Sequence, residues 1–131
     1  MKEIISIIIP TYNHAQYLER CLKSIEAQTF KKYEVIIVDN HSEDNTKKII
    51  DNFRHLPIKY FLIHNYGIYA KSRNLGIKNS SGNIIAFLDS DDWWKENKLQ
   101  ESYKLIQNGY DMIYHNLEVS NSKNKKKTYI K

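Results

Sequence analysis

Four short apolar runs rich in β-branched residues alternate with stretches of helical periodicity, and this alternation limits what the chain can fold into. Ile4 to Ile9 is unbroken and β-branched, as in a strand buried on both faces. Ala15 to Gln28 follows with Leu18, Cys21, Leu22 and Ile25 on one helical stripe. Glu34 to Val38 reads as a second strand. Ser42 reads as the N-cap of a second helix, with Glu43 and Asp44 in its first turn and Ile49, Ile50 and Phe53 on its buried face. Ile58 to Ile63, opened by Pro57, is a third strand. Tyr69 to Lys78 is a helix with Leu75 and Ile77 inward, ended by Ser80-Ser81-Gly82. Ile84 to Leu88 is the fourth strand, and Asn97 to Gln107 a helix carrying Leu99, Tyr103 and Ile106. Further strands are expected at Asp111 to Tyr114 and Thr128 to Ile130. Such alternation predicts a three-layer α/β/α fold around a mostly parallel sheet. The expected organisation is one domain over residues 1–119 and a polar, lysine-rich tail over 120–131, partly disordered or an edge strand.

Composition removes several classes of function. At 131 residues, 41% of them hydrophobic, the chain can build one domain with a core. No segment approaches the roughly 20 apolar residues that cross a bilayer, and the N-terminus does not read as a signal peptide. The single cysteine, Cys21, excludes an intrachain disulfide framework and a multi-cysteine zinc site, so a cytoplasmic setting is expected. The net charge of +5 is matched by five lysines, Lys123, Lys125, Lys126, Lys127 and Lys131, near the C-terminus. The remainder is balanced and carries no basic stripe, so no nucleic-acid partner is expected. The tail reads as a solvated end. Its functional alternative is peripheral contact with an anionic membrane, at the inner face.

In a parallel α/β sheet, ligands bind beyond the carboxyl ends of the strands. Those ends here are Pro10-Thr11-Tyr12-Asn13, Asp39-Asn40-His41-Ser42 and Asp89-Ser90-Asp91-Asp92. Each carboxylate alone is a turn or a helix cap, and Asp91 or Asp92 is placed to cap the helix that Trp93-Trp94 introduces. Gathered at one edge, they repel unless a cation or protons compensate, and an open oxygen-rich site suits Mg²⁺ or Mn²⁺. The four glycines form neither GxGxxG nor GxxxxGK[ST], which removes dinucleotide-binding and P-loop readings. His14, His41, His55, His64 and His115 lack metal-ligand spacing and read as surface residues. Cys21 reads as a buried helix residue, and Trp93-Trp94 as packing.

Taken together, certain segments resemble family 2 glycosyltransferases, specifically the N-terminal nucleotide-sugar-binding portion of their GT-A (Rossmann-like) fold. They are Ser6 to Asn13, Gln28-Thr29-Phe30, Glu34 to Asn40, Ser42 to Thr46, Ala70 to Ile77 and Phe87 to Asp92, in matching order and spacing from residue 4 to about 118. The resemblance implies that Pro10, Thr11, Tyr12 and Asn13 line a nucleoside pocket, Thr11 and Tyr12 holding uracil. It implies that Asp39 accepts from the base's ring N–H, that Asp89 reaches the ribose, and that Asp91, with Asp89, holds Mn²⁺ or Mg²⁺ as the DXD motif. Arg73 and Asn74 fall near the nucleotide. Asn40-His41 depart from the usual acid and glycine; His41 gives up the residue that takes positive φ most easily, although histidine tolerates that region better than most.

The implied activity is metal-dependent transfer of a sugar from a UDP-sugar to an acceptor hydroxyl, of a saccharide, a lipid-linked molecule or a protein, with inversion. The resemblance places the general base beyond the strand pair that follows the DXD helix. The catalytic base and the acceptor half are therefore expected outside these residues, which would carry the donor-binding half. The alternative is a non-catalytic nucleotide-sugar-binding module that pairs with another chain, or with a second copy as a homo-oligomer, to obtain the acceptor side.

Overall fold

The computed structural model describes residues 3–120 and 125–128 and divides into two compact units, residues 1–99 and 100–131. The first unit holds β1 (Ile5–Thr11), α1 (Ala15–Glu26), β2 (Tyr33–Asp39), α2 (Thr46–Asp51), β3 (Ile58–Leu62), α3 (Tyr69–Lys78) and β4 (Ile84–Phe87). A further helix, α4 (Lys98–Gln107), begins at its end. The second unit continues through α4 into an antiparallel hairpin of β5 (Leu117–Ser120) and β6 (Lys125–Thr128), in which Leu117 pairs with Thr128 and Ser120 with Lys125. No helix among the described residues is long and apolar enough to cross a membrane.

All four strands of the main sheet run parallel, in the order β3-β2-β1-β4. Every residue of β1 and β2 is buried, as their unbroken apolar runs predict. Right-handed crossovers carry the chain outward from β1 to β2 to β3, which puts α1 and α2, in contact with each other, on one face. The chain then returns over the opposite face through α3, which packs across β1 and β2, to place β4 on the other side of β1. α3 comes close because its buried positions are Ser72 and Gly76, one turn apart, rather than Leu75 and Ile77. A Cβ on Gly76 would fall 2.5 Å from Ile8 Cγ2. Ile77 is left exposed.

The helix start expected at Ser42 lies elsewhere. α2 begins at Thr46, and Ser42 instead gives its N–H and hydroxyl to Asp39. Asp44 also leaves its expected place in the first turn. Its carboxylate accepts from the N–H and hydroxyl of Thr46 and from the N–H of Ala15, the first residue of α1. Asp91 and Asp92 do not cap α4, which starts six residues after Asp92, at Lys98. Residues 111–114 pair with no strand, and pairing begins at Leu117, where β6 supplies a partner. Of the last expected strand, Thr128 ends β6, and Tyr129 and Ile130 lie outside the described residues.

One buried acid joins β1, β2 and the turn before β4. Glu34 accepts from the Ser6 hydroxyl (2.6 Å) and the Ser81 N–H (2.5 Å), and pairs with Lys59 (2.9 Å). Ser6 in turn accepts the Gly82 N–H, and there is no room for a Cβ at Gly82, which would sit 2.3 Å from the Ile4 carbonyl. Burial alone would raise the Glu34 carboxyl, but the bonds from Ser6, Ser81 and Lys59 outweigh it and hold the group at about 2. Its folded value thus lies below its ordinary value of 4.5, so its stabilising contribution is complete above that pH and fades as pH falls toward 2. Glu34→Gln should cost about 2 kcal/mol at pH 7 and progressively less between pH 4.5 and 2. Urea denaturation of both proteins across that range checks this; a loss independent of pH would contradict it.

Candidate functional site

The carboxyl ends of β1 and β4 diverge for a reason visible in the ladder. In a parallel sheet, alternate residues of a strand bond to opposite neighbours. The carbonyls of Ile4 and Ile8 accept from Ile84 and Leu88 on the β4 side, while Thr11 accepts from Asn40 on the β2 side. The next residue facing β4 is Pro10, which has no N–H. Pairing ends there, and the chain beyond Leu88 turns away, its path closed by the Asp92 N–H on the Asp89 carbonyl (3.0 Å).

A cavity of about 220 Å³ occupies the gap, lined by Pro10, Thr11, Tyr12, His14, Tyr69, Arg73, Asp89, Ser90 and Asp91. Six residues expected at the site thus share one cavity: Pro10, Thr11, Tyr12, Arg73, Asp89 and Asp91. Asn13 is not on its wall. With φ at 50°, Asn13 accepts the Glu43 N–H on Oδ1 and gives its own N–H to Ser42, tying the loop after β1 to the loop after β2. Asp39 also lies off the wall, only 2% exposed, with its Cα in register with Thr11. Its Oδ1 accepts both donors of Ser42 and its Oδ2 the Tyr60 hydroxyl. Asn74 is exposed and not on the wall.

Among the described residues, two buried side-chain polar atoms have no hydrogen-bond partner, Thr11 Oγ1 and Arg73 Nε. Buried donors are rarely left unpaired, and both belong to residues that line the cavity. Arg73 also gives an NH₂ hydrogen to Asp89 Oδ1 at 3.1 Å. No donor reaches the Asp91 carboxylate among the described residues, whereas its carbonyl is held by Arg20 (3.1 Å). The Arg20 guanidinium lies 3.8 Å over the exposed ring of Trp93, so α1 braces the acidic turn from outside. No cluster of three or more metal-ligating side chains occurs among the described residues. Two carboxylates on an open wall are the donor set with which Mg²⁺ or Mn²⁺ is held when a substrate phosphate completes the shell.

His14, Tyr69 and Ser90 were not expected on the wall. His14 Nδ1 and Ser90 Oγ share a hydrogen bond of 2.8 Å that bridges the ends of β1 and β4. The signal for His14 was its place one residue past the Pro10–Asn13 segment. The other departure, His41, does take positive φ (51°), its ring stacked on His64 at 3.8 Å, while Asn40 accepts the Asn65 N–H. Cys21 packs beneath the acidic turn, its thiol on the Asp89 carbonyl. Burial, with the charges of Asp92 and Asp91 adding, pushes that thiol up to about 12, so it is no nucleophile at neutral pH.

The profile described as Glycosyl transferase family 2 matches residues 6–131. The chain belongs to that family. It is 34% identical over 128 residues to the GalNAc(5)-diNAcBac-PP-undecaprenol beta-1,3-glucosyltransferase of Campylobacter jejuni, covering 95% of this chain and 41% of that protein. Residues 1–349 of S. aureus TarS in complex with UDP superpose with a TM-score of 0.75 at 34% identity, over 79% of this chain and 32% of that one. The mannosyltransferase PcManGT of Pyrobaculum calidifontis, in complex with GDP-Man and Mn²⁺, gives a TM-score of 0.71 at 26% identity, over 76% and 31%. These neighbours carry the GT-A-like fold. The chain spans 15% to 47% of the length of the curated relatives it matches.

The family's Gln28-Thr29-Phe30 segment has a physical reason in this fold. Fully buried Gln28 gives Nε2 to the carbonyls of Ser24 (3.0 Å) and Lys95 (2.8 Å) and accepts the Leu99 N–H (3.0 Å). Thr29 N–H meets the Glu96 carbonyl, and Trp94 N–H meets Ser24 Oγ. The segment following the acidic turn is thereby fastened to the end of α1, with Trp94 buried. Gln28→Ala leaves buried groups unpaired at about 1–3 kcal/mol each. We expect a loss of about 2–4 kcal/mol in urea denaturation and a red shift of tryptophan emission as Trp94 meets water; unchanged emission would contradict the clamp.

Proposed function

We propose that this chain is the donor-binding portion of a glycosyltransferase that moves a sugar from a UDP-sugar to an acceptor hydroxyl, with metal assistance and inversion at the anomeric carbon. The observation that carries the reading is the cavity at the diverging ends of β1 and β4. It gathers two unpartnered buried polar atoms, Thr11 Oγ1 and Arg73 Nε, with the carboxylates of Asp89 and Asp91. UDP in the TarS complex supports the nucleotide, and Mn²⁺ in the PcManGT complex supports the cation. The acceptor named for the Campylobacter jejuni relative supports a lipid-linked saccharide.

Each residue has a part in this reading. Thr11 and Tyr12 hold the uracil, and Asp39 accepts from its ring N–H through its unfilled lone pair. Tyr69 and Tyr12, both half exposed, offer ring faces beside the nucleoside. Asp89, already turned by Arg73, accepts from the ribose. Asp91, whose carboxylate meets no donor among the described residues, is the principal metal ligand, with Asp89 the second. Bound there with the diphosphate, a divalent cation supplies positive charge to the departing UDP. Arg73 Nε is a second cationic donor at the same wall, and the His14–Ser90 bond fixes the turn that carries both carboxylates.

Calorimetry tests the assignment. UDP should bind the chain at least tenfold more tightly with Mn²⁺ than with EDTA, and Asp91→Ala should remove most of that difference. Equal affinity with and without the cation would remove the metal role of Asp91.

A further inference from the structure

An ionised carboxylate offers four acceptor lone pairs. In Asp39, Ser42 takes two on Oδ1, with its N–H at 2.9 Å and its hydroxyl at 2.5 Å. The Tyr60 hydroxyl takes one on Oδ2 at 2.6 Å. Burial first, then the bond to Asp39 and its charge, raise the Tyr60 phenol, so it remains a donor at neutral pH. One lone pair, on Oδ2, is left. Thr11 is in register with Asp39 on the adjacent strand, so the two side chains share a face, and its buried hydroxyl has no partner.

The geometry points to Ser42 as a specificity-determining residue: its N–H and hydroxyl fill both acceptor positions of Asp39 Oδ1 while Tyr60 takes one on Oδ2, which leaves Asp39 able to take one base N–H and not two. This rests on the reading of Asp39 as the nucleobase acceptor. Uracil presents a single N–H between two carbonyls. The open lone pair of Asp39 accepts that N–H, and the spare Thr11 hydroxyl donates to a flanking carbonyl. Guanine presents its ring N–H beside an exocyclic amine, two parallel donors that a carboxylate open on both oxygens accepts together. Here the second acceptor is occupied. Because Asp39 is only 2% exposed, water has little room to replace it. A buried donor left unpaired weakens binding roughly tenfold or more.

The test measures displacement of UDP, in the presence of Mn²⁺, by GDP and by IDP. IDP is guanosine diphosphate without the exocyclic amine, so the two probes differ in that one donor. The proteins are the full 131-residue chain, Tyr60→Phe and Ser42→Ala, the last of which keeps the backbone N–H. Ser42→Ala frees a position on Oδ1 and so opens both oxygens of Asp39, whereas Tyr60→Phe frees a second position on Oδ2 alone and is the control; thermal denaturation checks that each is folded. The expected result is that GDP gains on UDP by about tenfold in Ser42→Ala, while IDP in that variant and GDP in Tyr60→Phe do not gain. No gain for GDP in Ser42→Ala, an equal gain for IDP there, or an equal gain for GDP in Tyr60→Phe overturns the assignment while leaving UDP binding intact. Absence of UDP binding by the unmodified chain overturns the donor-site reading and this inference with it.

Discussion

The absence of one N–H shapes the working end of this fold. Pro10 occupies the position on β1 that faces β4, and because proline cannot donate, the ladder between those strands stops after the bond from Leu88 to Ile8. The chain directions reinforce this. From β1 the path runs outward through α1 to β2, and β4 arrives from the opposite face through α3. At such a reversal nothing covers the gap between the strand ends, which is why open α/β sheets bind ligands there. Thr11 and Tyr12 on one side and Asp89, Ser90 and Asp91 on the other border the same cavity.

Polar side chains, more than apolar ones, set the loops that finish the site. Gln28 fastens the segment after the acidic turn, Asp44 ties the start of α1 to the start of α2, and Asn13 and Ser42 stitch the two loops between them. Each satisfies backbone donors or carbonyls that a loop would otherwise leave unpaired. Once those bonds are made, the remaining unpartnered atoms stand out. Among the described residues, Thr11 Oγ1 and Arg73 Nε both belong to residues of the cavity wall, and no donor reaches the Asp91 carboxylate. The acidic turn is held in place from behind, by Arg20 on the Asp91 carbonyl and by His14 on Ser90.

The strands and their parallel order were legible in the sequence because double-sided burial demands continuous β-branched runs, and Ile5–Thr11 and Tyr33–Asp39 have them. Strand ends carrying Thr11, Asp89 and Asp91 were legible for the same reason. Other features depended on contacts that spacing does not encode. Ser42 has the chemistry of an N-cap, but Asp39, three residues back, takes both of its donors. Leu75 and Ile77 have the chemistry of a buried face, but the close approach of α3 to Ile8 requires Gly76 and Ser72 there. Residues 111–114 have strand composition but pair with no strand among the described residues. His14 carried no metal-ligand spacing, and its role arises from a bond across 76 positions to Ser90.

The central claim is that nucleotide and cation meet at the diverging ends of β1 and β4. Paramagnetic broadening by Mn²⁺ in a backbone-amide NMR spectrum of the UDP-saturated chain locates the cation directly. The account predicts that amides of Asp89, Ser90, Asp91 and Asp92 are lost first and that those of Thr11 and Tyr12 follow. Broadening centred instead on the His41–His64 pair, or on the N-terminal turn of α2, with the Asp89–Asp92 amides intact, would contradict it.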